Sequence, residues 1–144
     1  MDEILTAWAT LFEADTSDAF YSALTGRFYA YYAGENETYP YGTFSIQGQA
    51  RDTLFAGQSN WIDDVVIKVD LFDEDDDPTN ILQAAEHCKT MYHGVSLTAL
   101  AGDTLDNCGI AFESSTFVDE PERGENDVTI WHYVLMFQLY VGLK

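Results

Sequence analysis

The sequence predicts an α+β fold: an antiparallel sheet of four or five strands with helices packed mainly on one face. Three observations lead there. Apolar residues recur at helical spacing near the N-terminus and again after Pro78. Strict alternation marks a half-buried strand at Val65, Ile67, Val69 and Leu71, with Asp64, Lys68 and Asp70 opposite. Two long extended stretches, 109–118 and 128–141, bracket a turn of proline, glycine and five acids that must reverse in solvent. The 144 residues suffice for one domain, so 1–144 reads as a single α+β unit with a projecting C-terminal hairpin over about 109–141.

Taken in order, Ile4, Leu5, Trp8, Leu11 and Phe12 predict an amphipathic helix over 2–13. Ser17 or Asp18 caps a second short helix, with Phe20 and Leu24 inward and Gly26 ending it. Arg27 to Tyr32 is aromatic and extended, and Gly34 to Glu37 is a loop. A strand follows over Tyr41 to Ile46, entered through Pro40. Residues 48–60 are polar, contain glycine and read as a mobile loop. After the 65–71 strand come five consecutive acids, Asp73, Glu74, Asp75, Asp76 and Asp77. Asp77 and Pro78 suit an N-cap and first helical residue; Ile81, Leu82, Ala85, Cys88 and Tyr92 then form a stripe that Gly94 stops. His93 falls in the last turn, where the helix dipole favours a proton. On the last strand Val128, Ile130, His132, Val134, Met136, Gln138 and Tyr140 share one face, and Thr129, Trp131, Tyr133, Leu135, Phe137, Leu139 and Val141 the other. Both faces are largely apolar, so the strand is either covered on both sides or waits for another subunit.

Composition narrows function. Net charge is −19, from 25 acids and 6 bases, which repels nucleic acid and anionic membrane alike. No apolar run of about twenty residues follows the acidic N-terminus, so neither secretion signal nor membrane span is expected. Cys88 and Cys108 read as two free buried thiols, with a single disulfide as the alternative. Asp73, Asp75 and Asp77 match the opening of a calcium loop, but Pro78 stands where its glycine belongs and Ala84 where its glutamate belongs. The acid run, with Glu120 and Glu122 of the turn, is better read as solvated surface. His87, Cys88 and His93 lack zinc spacing, and neither cysteine nor any serine sits in a nucleophile motif. No phosphate-cradling glycine loop occurs. No catalytic, metal or cofactor-binding residue is therefore assigned, and no enzyme activity is expected.

A short helix ending in Gly26 and Arg27-Phe28-Tyr29 leads to Tyr39-Pro40-Tyr41 at the head of a strand. The Val65–Phe72 strand, a helix carrying Ala84-Ala85-Glu86, a Glu113–Asp119 strand, an acidic turn and a long terminal strand follow. This layout resembles the tail-completion or tail-terminator proteins of long-tailed bacteriophages over nearly the whole chain; region 48–60 and the acidity depart from it. The resemblance implies a virion protein that forms a hexameric ring at the head-proximal end of the tail tube. Such a ring stops tube polymerisation, meets the tail tube protein and the head-tail connector, and lets DNA pass without specific binding. It implies assembly in the host cytoplasm and no catalysis. The candidate subunit interface is Phe28, Tyr29, Tyr31, Trp131, Tyr133 and Phe137. The alternatives are another neck or tail-tube subunit and, from a different class, a small acidic cytoplasmic protein-binding module.

Overall fold

The computed structural model describes residues 2–34, 37–53, 61–95, 105–118 and 128–143. The elements run α1 (Asp2–Glu13), α2 (Ala19–Leu24), β1 (Phe28–Ala30), β2 (Tyr41–Thr53), β3 (Trp61–Glu74), α3 (Thr79–Tyr92), β4 (Leu105–Phe117) and β5 (Ile130–Leu143). The five strands form one sheet in the order β1-β2-β3-β5-β4. All neighbours are antiparallel except β1 and β2, which run parallel. The fold is α+β, as the sequence predicts.

Helix signals sit close to where they were expected. Asp18 caps α2 by accepting the Phe20 N–H at 2.8 Å. Thr25 and Gly26 both take positive φ, 51° and 73°, and the Gly26 N–H closes the helix on the Tyr21 carbonyl at 3.0 Å. α3 starts one residue later than predicted: Pro78 is the N-cap, and Asp77 accepts the Thr79 N–H from outside the helix at 2.9 Å. At its end, His93 Nδ1 accepts the Phe112 N–H at 2.9 Å, so that nitrogen carries no proton while it ties α3 to β4.

The parallel β1–β2 pair needs its connection to double back. The chain leaves β1 through a γ-turn: Tyr32 N–H bonds to the Ala30 carbonyl at 2.8 Å, with Tyr31 at φ 68°. It returns under Arg27, whose Nε and Nη2 donate to the carbonyls of Pro40 (3.0 Å) and Tyr39 (3.2 Å). The Gly42 N–H then bonds to the Arg27 carbonyl at 2.9 Å. Gly42 is where β1, β3 and α2 converge: a Cβ there would lie 2.9 Å from Phe28, 3.0 Å from Leu71 and 3.2 Å from Leu24.

Three strands are longer than predicted: β2, β3, and β4, which starts at Leu105 instead of 109. Residues 48–53 belong to β2, not to a mobile loop; residues 54–60 lie outside the described ones. The short β1 pairs only with Gly42–Phe44, so the rest of β2 is an edge, where polar residues and glycine still ladder to β3 past a bulge between Ile46 and Gly48. β3 likewise extends from Trp61 to Glu74.

All three helices pack on one face of the sheet. Val65, Ile67, Val69 and Leu71 of β3 and Leu135, Phe137 and Leu139 of β5 meet Trp8, Phe12, Phe20, Ile81, Cys88 and Tyr92 there. Trp8 stacks on Tyr92 with ring centroids 3.7 Å apart, and the Tyr92 hydroxyl donates to the Trp8 carbonyl at 3.0 Å. Burial raises the pKa of both the Tyr92 phenol and the Cys88 thiol well above their ordinary values. Cys88 is free and buried, while the Cys108 side chain lies outside the described residues. Leu82, placed in the helical stripe by its spacing, is 39% exposed, because the buried arc of α3 runs through Ile81, Ala84, Ala85 and Cys88.

Candidate assembly surface

β5 lies between β3 and β4, so its two faces meet different surroundings. Its odd-numbered residues from Trp131 to Leu139 point at the helices, and its even-numbered residues from His132 to Tyr140 lie on the face no described helix covers. That open face can be read row by row from strand register. One row joins Tyr29, Thr43, Asp70, Val134 and Thr116 across all five strands. The next joins Ser45, Lys68, Met136 and Ser114. On the other side Tyr41, Phe72 and His132 stack in sequence, with centroids 5.0 and 4.3 Å apart. At the centre Asp70 Oδ1 shares a 2.6 Å hydrogen bond with His132 Nε2 and lies 3.4 Å from Lys68 Nζ. Those neighbours leave Asp70 only 8% exposed on a face that no described helix covers. Around the Asp70 carboxylate, these central rows carry one amine, one imidazole, and aromatic, aliphatic and hydroxyl groups.

Most of the exposed large apolar side chains lie at the sheet edges. Tyr31 (56% exposed) and Tyr32 (81%) follow β1, one edge of the sheet. Phe117 (36%) and Val118 (38%) end β4, the opposite edge. Tyr140 (53%) stands on the open face. A single register row, Ala30, Phe44, Val69, Leu135 and Ser115, passes within three residues of both edge groups. The positive φ of Tyr31 is costly for a side chain other than glycine, about 1–2 kcal/mol. The strained turn therefore presents two solvated phenols.

Four of the six predicted interface residues lie elsewhere than on that exposed surface. Phe28 is core, packed on Phe12, Phe20 and Phe44 at 4.8, 5.3 and 4.7 Å. Phe137 is fully buried against Trp8, Tyr92 and Phe112. The reason is parity: both sit on the helix side of their strands. Trp131 and Tyr133 share that side farther along β5 and are partly buried. Trp131 Nε1 donates to the Asp75 carbonyl at 3.1 Å, and the Tyr133 hydroxyl to Ser115 Oγ at 2.8 Å. Tyr29 lies on the open face with its hydroxyl donating to Glu37 at 3.0 Å, and Tyr31 is exposed. Tyr32 and Tyr140, both exposed, are not among the six, although Tyr32 lies in the aromatic Arg27–Tyr32 stretch and Tyr140 on the long terminal strand; a second consecutive tyrosine and the even parity of β5 are the signals that mark them.

The acid run divides as well. Asp76 and Asp77 are exposed, and Glu74 and Asp75 are half-buried. The Thr79 hydrogen bonds hold the Asp77 carboxyl below its usual range. Asp73 corrects the prediction of a solvated group: it ends β3 on the helix side and is 5% exposed. Glu120 and Glu122 lie outside the described residues. Among the described residues, no cluster of three His, Cys, Asp or Glu is placed to hold a metal. No described helix is long and apolar enough to cross a membrane.

No family model matches the sequence, and no curated protein matches it. In structure the chain is similar to one from the virion of a native gene transfer agent particle, with a TM-score of 0.56 and 17% identity. The correspondence covers 92% of this chain and 91% of that one. The two share a fold along almost their full lengths.

Proposed function

We propose that this chain is a structural virion protein of the bacteriophage type, and within that class a tail terminator. The observation that carries the coarser reading is the near-complete, end-to-end likeness to a virion chain. The finer reading rests on the tail-terminator resemblance of the sequence. In it, copies close head to tail into a ring, probed below as a hexamer, on the head-proximal end of the tail tube. The ring contacts the tube protein below and the head-tail connector above.

A closed head-to-tail ring needs two different patches on each subunit. The two sheet edges supply them. Tyr31 and Tyr32 beside β1 of one copy would meet Phe117 and Val118 beside β4 of the next. The open sheet face, with Tyr41, Phe72, His132 and Tyr140, would then meet the tube or the connector. Six copies would carry six times a charge of −19, a field past which DNA moves without adsorbing. No step in this function requires bond chemistry.

Negative-stain microscopy of purified protein, alone and with preformed tail tubes, tests the proposal. A terminator gives discrete rings that seat on one tube end and halt elongation. Open-ended growth of the protein itself would mean a tube subunit instead. Monomers that neither ring nor bind tubes would leave the acidic binding module.

A further inference from the structure

We propose that the cleft between α2 and α3 receives the arginine or lysine side chain of another protein subunit. The inference rests on the assembly reading above for the source of that side chain, and on the cleft itself for its chemistry.

The cleft encloses about 550 Å³, and its polar lining includes Ser22, Asp73, Asn80, Gln83 and His87. Asp73 is the unusual member. It is 95% buried by exposure, and its Oδ2 has no hydrogen-bond partner among the described residues. A buried carboxylate oxygen without a donor is costly, and a cation that donates to it removes the cost. The surroundings favour positive charge. Asp75 and Glu74 lie close enough to act on the Asp73 carboxyl. Asn80, which donates its amide N–H to Asp75 Oδ2 at 2.9 Å, also lines the cleft. Ser22 and Gln83 add further oxygens. A planar guanidinium with five N–H donors suits such a set of acceptors, and an ammonium satisfies part of it.

The three Lys and Arg side chains that the structure describes are all engaged outside the cleft. Arg27 is held by two carbonyls, Lys68 by Asp70, and Lys89 by Glu86 at 2.9 Å with its amine over the Phe112 ring. Burial, and then Asp75, push the Asp73 carboxyl above its usual range, as expected of a carboxylate that lacks its counter-charge. An incoming basic side chain supplies one.

The test titrates isotope-labelled protein with N-acetylarginine methylamide at constant ionic strength, with sodium chloride as the matched reference. Expected is a saturable shift of the Asp73 carboxyl carbon together with the Ser22 and Gln83 amides. Asp73→Asn should weaken binding by about tenfold or more, the loss typical of one charged hydrogen bond. Asp76→Asn, at an exposed neighbour, should leave it unchanged. Because the probe is small, the result does not depend on ring formation. A second variant, Gln83→Arg, places a guanidinium at the exposed rim of the cleft and should abolish probe binding by occupying the site. Equal affinity in Asp73→Asn, undiminished binding in Gln83→Arg, or shifts that sodium reproduces would each overturn the proposal.

Discussion

Replacing Tyr32 with serine separates stability of the subunit from stability of the assembly. Tyr32 is 81% exposed in the isolated chain, so the change removes little packing. Subunit stability should move by no more than about 0.5 kcal/mol, the usual range for a surface site. At a subunit boundary the same ring would bury on the order of 150 Å². With about 25 cal/mol per Å² as the transfer value, that burial is worth roughly 2–3 kcal/mol once ordering costs are allowed for. The lower end is about 30-fold in the association constant of each boundary. A closed ring repeats the boundary, so the concentration for half-assembly should rise steeply. Urea denaturation of the subunit, with sedimentation velocity across a concentration series, reads both quantities. Assembly unchanged to within threefold, or a subunit destabilised by more than about 1 kcal/mol, would refute the reasoning.

Tyr140→Asp puts a charge on the open sheet face at a half-exposed site; the fold should persist while binding to tube or connector falls, as a pull-down with each partner would show. Gly42→Ala forces a methyl to within 3.0 Å of Phe28 and Leu71, and should cost about 1–3 kcal/mol in urea denaturation, against no measurable change if the site is slack. Asp73→Asn should raise stability at neutral pH. Its folded-state pKa lies above the ordinary 3.8, so the folded chain holds its proton more tightly than the unfolded one. The penalty is complete above the raised value and fades as pH falls toward 3.8, where mutant and parent should converge in thermal unfolding. Trp131→Ala removes the hydrogen bond to Asp75 and the packing on Phe117, so it should lower subunit stability by about 2–4 kcal/mol instead of releasing a ring of folded subunits.

Local patterns carried much of the fold. The spacing of Ile4, Leu5, Trp8 and Phe12 locates α1, and the alternation from Val65 to Leu71 locates β3 and its buried face. Capping chemistry starts α2 at Ser17 or Asp18, and Asp18 is the cap. What stayed hidden depends on contacts distant in sequence. Nothing local marks 48–53 as strand, because its ladder partners are in β3. Nor does periodicity say that β1 runs parallel to β2, a consequence of the Tyr31 turn and the Arg27 tether. The same limit explains the candidate surface. Alternation divides β5 into two faces, but both are apolar, and only the docking of α1 and α3 decides which is core. Composition alone therefore puts Phe28 and Phe137 among interface candidates, although they fill the interior. The neighbours of Asp73 mark a solvated run, whereas strand parity turns it inward beneath α3.

Sedimentation velocity combined with light scattering, from low micromolar to near-millimolar protein, addresses the assembly claim most directly. The account expects the 16.2 kDa chain to pass in one cooperative step to a discrete closed species, expected at six copies, with a boundary that Tyr32→Ser weakens. A single 16.2 kDa species at every concentration, with and without tail tubes, would contradict it.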